Sequence, residues 1–154
     1  ARAAGANLAI AHGARWLAMT DADTVVPTDW LAAQLDCGAD AFCGVVGVAD
    51  WRGHQAATRQ AFERLESRQD GHAHVHGANL GVSAQAYTQV GGFPPLVSSE
   101  DVALVDALVA ADKRIARCGA PAVLTSARRS ARAPRGFSDY LLRLEAALLA
   151  QPGA

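Results

Sequence analysis

The sequence predicts a three-layer α/β domain. Short apolar runs that read as buried strands alternate along the chain with segments of helical spacing, the pattern that puts helices on both faces of a sheet. The 154 residues suit one domain covering 1–154. Hydrophobic residues make up 51% and charged residues 19%, enough to build a core and too little charge for a disordered chain.

Each element has its own signal. Residues 2 to 13 are rich in alanine, carry Leu8 and Ile10, and stop at Gly13, which predicts a helix with a glycine end. "ARWLAMT" (14 to 20) reads as a strand buried on both faces. "PTDWLAAQLD" opens on Pro27 and places Trp30, Leu31 and Leu35 on one helical face. "DAFCGVVGVAD" (40 to 50) is a second buried strand. Residues 54 to 69 form a polar helix with a thin stripe of Ala61, Phe62 and Leu65. "HVHGANLGVS" (74 to 83) is a strand interrupted by glycines, and "AQAYTQVGGF" a short helix with a Gly-Gly turn. In "SSEDVALVDALVAADK", Val102, Val105, Leu108 and Val109 recur at helical spacing, and Ser98 with Asp101 has the form of a capping box. "RIARCG" and "AVLTSA" predict two short strands, "RRSARAPRG" a basic loop, and 137 to 150 a helix with Phe137, Tyr140, Leu141, Leu144 and Leu148 on one face.

Several function classes fall away. A formal net charge of -1 gives no general pull toward nucleic acid or anionic lipid. No apolar run approaches ~18–20 residues, so no membrane-spanning segment is expected. The start of the chain lacks the order of a signal peptide. It also lacks an initiator Met, and the chain is expected to be a piece of a longer protein. Cys37, Cys43 and Cys118 have no metal-ligand spacing and read as buried free thiols in a reducing compartment.

Asp21 and Asp23 follow the first strand. Ligand sites in open α/β sheets lie beyond the carboxyl ends of strands, and hard oxygen ligands suit Mg²⁺ or Mn²⁺. A turn ahead of the helix at Pro27 explains the same two acids. Glu100 and Asp101 open a helix, where acids offset the helix dipole and cap free N–H groups, or serve chemistry. His72, His74 and His76 share one face if their segment is extended. Three imidazoles would suit Zn²⁺, as in a metal hydrolase, but no carboxylate or Cys has a spacing that completes a site, and a polar strand start explains them as well. Trp51, at a strand end, suits either stacking on a sugar ring or packing.

Taken in order, "TDADT", "GANLGVSAQAYTQVGGF" and "SSEDVAL" resemble the family 2 glycosyltransferases of the GT-A fold. The family pattern is an Asp-x-Asp motif, then a Gly-Asn strand leading to a helix that ends in Gly-Gly-Phe, then Glu-Asp at a helix start. Here these are Asp21 and Asp23, Gly77 and Asn79, Gly91-Gly92-Phe93, and Glu100-Asp101. "ARAAG" resembles the family's Ala-Arg-Asn-x-Gly stretch through Arg2 and Gly5, with Ala3 in place of Asn. The resemblance implies a GT-A, Rossmann-like mixed sheet, incomplete at the N-terminus, because the family's nucleoside-gripping first strands have no counterpart ahead of Arg2.

It also implies a reaction. A sugar would pass from a UDP- or GDP-sugar to a hydroxyl on a saccharide, lipid or small molecule, with Mg²⁺ or Mn²⁺ at Asp23 and Asp21. Asp101 would be the general base of an inverting transfer, with Glu100 orienting it. Arg2, Asp21, Asp23, Gly77 and Asn79 would line the donor site, and Arg128 and Arg129 would close over the diphosphate. Some relatives carry a further His ligand after the last strand, and none stands between Val123 and Arg135. The implied location is cytoplasmic, including the inner face of a membrane as a peripheral contact, with no nucleic-acid partner. The alternative is a non-catalytic remnant or interaction module of such an enzyme.

Overall fold

The computed structural model describes residues 1–66, 68–130 and 136–150. In chain order the elements are α1 (Arg2–Ala11), β1 (Trp16–Met19), α2 (Trp30–Asp36), β2 (Ala41–Val48), α3 (Ala56–Leu65), β3 (Leu80–Ser83), α4 (Ala84–Gln89), α5 (Glu100–Ala110), β4 (Ile115–Thr125) and α6 (Phe137–Ala150). The strands form one open mixed sheet in the order β1-β3-β2-β4. β3 is antiparallel to both of its neighbours, and β2 and β4 are parallel. β1, β2 and β4 therefore point the same way. Their carboxyl ends, with the amino end of β3, lie along one edge of the sheet.

Side-chain alternation along β2 divides the core. Ala41 and Cys43 pack with Leu17, Leu80 and Val82 of the sheet and with Leu104, Val105 and Leu108 of α5, beside Ala6 of α1 and Tyr87 of α4. Val46 joins the second cluster, with Phe62 of α3, Val123 of β4 and Leu141 of α6. Odd and even strand positions face opposite ways, so helices cover both faces and the three-layer expectation holds. Full burial of a side chain such as Phe62 or Leu141 contributes about 1.5–3 kcal/mol. No helix among the described residues is long and apolar enough to cross a membrane.

The elements depart from the sequence reading where burial is one-sided. β1 pairs only with β3 among the described residues, and only its Leu17 is buried. An edge strand has one covered flank, so its apolar run did not signal burial on both faces. In α2 the inward residue is Gln34, fully buried, whose Oε1 accepts from Trp16 Nε1 at 3.0 Å, whereas Leu31 and Leu35 are exposed. In α5 Leu104, Val105 and Leu108 face the core, and Val102 and Val109 face out. The two short strands expected after α5 are one strand, β4, with an irregular register opposite Gly44 and Val46. The strand expected from residue 74 begins only at Leu80. Arg132 and Arg135 of the basic loop lie outside the described residues.

Candidate functional site

The sheet edge formed by the carboxyl ends of β1, β2 and β4 gathers most of the residues that the sequence singled out. After β1 the chain turns at once: the Thr24 N–H donates to Asp21 O at 3.1 Å. Val25 then bridges Leu124 of β4, and the Thr24 hydroxyl donates to the Thr125 hydroxyl at 2.9 Å. The Asp21–Asp23 turn is thereby pinned against the end of β4, which brings Asp23 into an ion pair with Arg128. Beside it, Asp23, Asp50, Arg52, Thr125 and Arg128 line a cleft of about 350 Å³.

Arg2 organises the other half. Its Nη2 donates to Asp21 Oδ1 at 2.5 Å and its Nη1 to Glu100 Oε1 at 2.6 Å. Burial opposes the guanidinium charge, but Asp21, Glu100 and Asp101 outweigh it and raise its pKa. Gly77 makes room for this bridge, because a Cβ there would lie 2.5 Å from Arg2 Nη1. The Gly77 N–H donates to Asp101 Oδ2 at 2.8 Å, and the Val102 N–H to Asp101 Oδ1 at 2.9 Å. Both oxygens of Asp101 are thus aimed by backbone donors. The expected capping box is absent: Ser99 precedes α5 in the left-handed region, φ 61°, with no side-chain cap. That turn swings Glu100 and Asp101 toward Arg2 and Gly77.

Two residues of the expected donor set sit elsewhere. Asn79 is fully buried; its Oδ1 accepts from Trp30 Nε1 at 2.8 Å, and its Nδ2 donates to Val45 O at 2.9 Å and Pro121 O at 3.1 Å. It supports the strand ends beneath the site. Arg129 turns toward α6, where its Nη1 meets Glu145 Oε2 at 2.7 Å and Gly53 O at 2.8 Å. Trp51 packs on Phe62, with ring centroids 5.4 Å apart.

Asp21 and Asp23 have the donor chemistry for a hard cation. Each commits one oxygen to an arginine, and the other has no protein partner among the described residues. Their side chains are 42% and 31% exposed, which leaves room for the waters that Mg²⁺ or Mn²⁺ retains.

A second group of ligand-type residues includes His76, which directly precedes Gly77. Glu66, His74 and His76 converge, with His76 Nε2 3.0 Å from Glu66 Oε2 and His74 Nδ1 3.6 Å from it. Burial works to raise the Glu66 pKa, but the bond to His76 and the neighbouring imidazoles hold it below the ordinary carboxylate value. Burial keeps His72 below the ordinary histidine value. Glu66 escaped the sequence reading because it comes from the end of α3, and no fixed spacing ties a helix end to a later loop.

No protein-family profile, curated protein or solved structure matches the chain.

Proposed function

We propose that the chain is the catalytic portion of a family 2 glycosyltransferase of the GT-A fold, which moves a sugar from a nucleotide diphosphate to an acceptor hydroxyl with inversion. One observation carries this reading. Arg2, Asp21, Gly77, Glu100 and Asp101, drawn from four separate motifs, meet at the edge where the strands end. The motif order in the sequence and this convergence support the same assignment. The open mixed sheet is compatible with the fold.

In this reading Asp101 accepts the proton of the acceptor hydroxyl. The N–H groups of Gly77 and Val102 hold its carboxylate in one orientation. Glu100, held by Arg2, fixes the start of α5 and contacts the acceptor. Arg128, and Arg2 when it releases a carboxylate, offer planar guanidinium groups to the diphosphate oxygens. Asp21 and Asp23 would hold the divalent ion, which supplies Lewis-acid neutralisation of the leaving diphosphate.

The second reading is a non-catalytic module. It is favoured by the fact that Asp21, Asp23 and Glu100 each have an arginine partner already, so the cluster also works as a set of structural ion pairs. Calorimetric titration with UDP- and GDP-sugars in Mn²⁺, followed by turnover assays, separates the two in a protein that carries the family's nucleoside-gripping strands ahead of Arg2. The enzyme reading expects saturable, Mn²⁺-dependent binding that Asp23→Asn weakens at least about tenfold. Binding that is absent, or indifferent to both Mn²⁺ and Asp23→Asn, leaves the module reading.

A further inference from the structure

We infer that Glu66, His74 and His76 form a binding site for one borderline divalent transition metal ion, Zn²⁺ in class, separate from the acid pair at Asp21 and Asp23. The inference does not depend on the glycosyltransferase reading. A tetrahedral ion held about 2.1 Å from each ligand needs ligand atoms about 3.4 Å apart. The two edges that meet at Glu66 Oε2 measure 3.0 and 3.6 Å, and all three ligand atoms lie within 4.8 Å of one another. The three side chains are therefore spaced for a common ion with only small movement.

The surroundings are built to hold that spacing. The Glu66 side chain is only 7% exposed, and a buried carboxylate needs a cation or firm hydrogen bonds to offset its lost hydration. His72 stacks on His74, and His74 on His76, with centroids 5.4 and 5.8 Å apart, which fixes the plane of each ring. Arg117 Nη1 donates to the carbonyls of His72 and His74 at 3.4 Å and ties down the backbone between them. Imidazole nitrogens with one carboxylate favour Zn²⁺ over Mg²⁺, which prefers all-oxygen sites. Three protein ligands leave a fourth position for water or for a group on a bound molecule. Beside the site, Glu66, Arg68 and Gln69 line a cleft of about 570 Å³ through which such a group could arrive.

Cobalt(II) is the probe, because a tetrahedral Co²⁺ absorbs in the visible and an octahedral one only weakly. The chain is freed of metal by dialysis against a chelator and titrated with Co²⁺. The expected result is one equivalent bound with strong visible bands that Zn²⁺ removes. Glu66→Gln and His74→Ala should each weaken binding at least about tenfold with an unchanged circular dichroism spectrum, whereas His12→Ala, at an exposed position, should change nothing. NMR of the unaltered chain needs no variant: Zn²⁺ should shift the ring protons of His74 and His76 and leave those of His12 in place. Absence of visible bands at millimolar Co²⁺, unaltered affinity in either folded ligand variant, bands lost in Asp23→Asn instead, or ring protons of His74 and His76 unmoved by Zn²⁺ would each overturn the assignment.

Discussion

The Arg2 guanidinium touches Asp21 and also Glu100, which lies 98 positions further along the chain. Gly77→Ala tests that bridge. The added methyl would meet the guanidinium, and an arginine yields more readily than backbone. The expected outcome is displacement of Arg2, seen as loss of slow exchange for its Nη protons in NMR, with the melting temperature little changed. A separate charge pair fixes Asp50, which the side-chain and backbone bonds from Arg52 hold down to about 2. Because its folded value is depressed, what it contributes is present above the unfolded carboxylate value and lost as pH falls through about 2. The ¹³C carboxyl shift of Asp50 should titrate there, and Arg52→Ala, which removes the side-chain bonds but keeps the backbone one, should raise it part of the way toward the ordinary range. Cys43 is pushed up to about 11 by burial, so a thiol reagent at pH 8 should leave it untouched until the chain unfolds, while the partly exposed Cys37 reacts.

Among the elements, the glycines and one asparagine separate packing from chemistry. Gly5 sits inside α1 with open space where a Cβ would point, so Gly5→Ala should stabilise by about 0.5–1 kcal/mol in thermal unfolding. Asn79→Ala should instead strand the Trp30 indole and the Val45 and Pro121 carbonyls, costing about 1–3 kcal/mol for each group left unpaired. If Asn79 acts only as support, turnover per folded molecule stays normal in that variant. Helices and β2, buried from Ala41 to Gly47, were legible in the sequence because period and composition are local properties. The inward face of α5 was legible in part, since Val105 and Leu108 are core as expected while Val102 and Val109 are exposed; that of α2 was not, because Leu31 and Leu35 look like core by hydrophobicity, yet the buried residue is Gln34, whose Oε1 accepts from Trp16. Exposed Leu35→Ser should therefore change stability by less than about 0.5 kcal/mol, whereas Leu104→Ala should cost about 2–5 kcal/mol.

Over the whole molecule, the order of the motifs was legible and their meeting point was not. Asp21, Gly77 and Asp101 stand out in sequence through residue type and neighbours. That Arg2 joins two of the acids, that Arg128 joins Asp23, and that Arg129 turns away to Glu145 depends on how the sheet and α6 are assembled. Glu66 illustrates the same limit, since its partners arrive on a loop that no pattern links to α3. The mixed sheet nevertheless carries Asp21, Asp23 and Arg128 to one edge and sets α5 with Asp101 beside them, and the proposed chemistry rests on that placement. The most direct test uses a protein that carries the nucleoside-gripping strands ahead of Arg2, and compares it with its Asp101→Asn variant for turnover of UDP- and GDP-sugars, donor Kd and melting temperature. Asparagine can still accept the Gly77 N–H but cannot take a proton. A general base at Asp101 predicts a kcat loss of about 10²–10⁴-fold with Kd and melting temperature nearly unchanged. Normal turnover per folded molecule in that variant, or no nucleotide-sugar turnover in the unaltered protein, would contradict it.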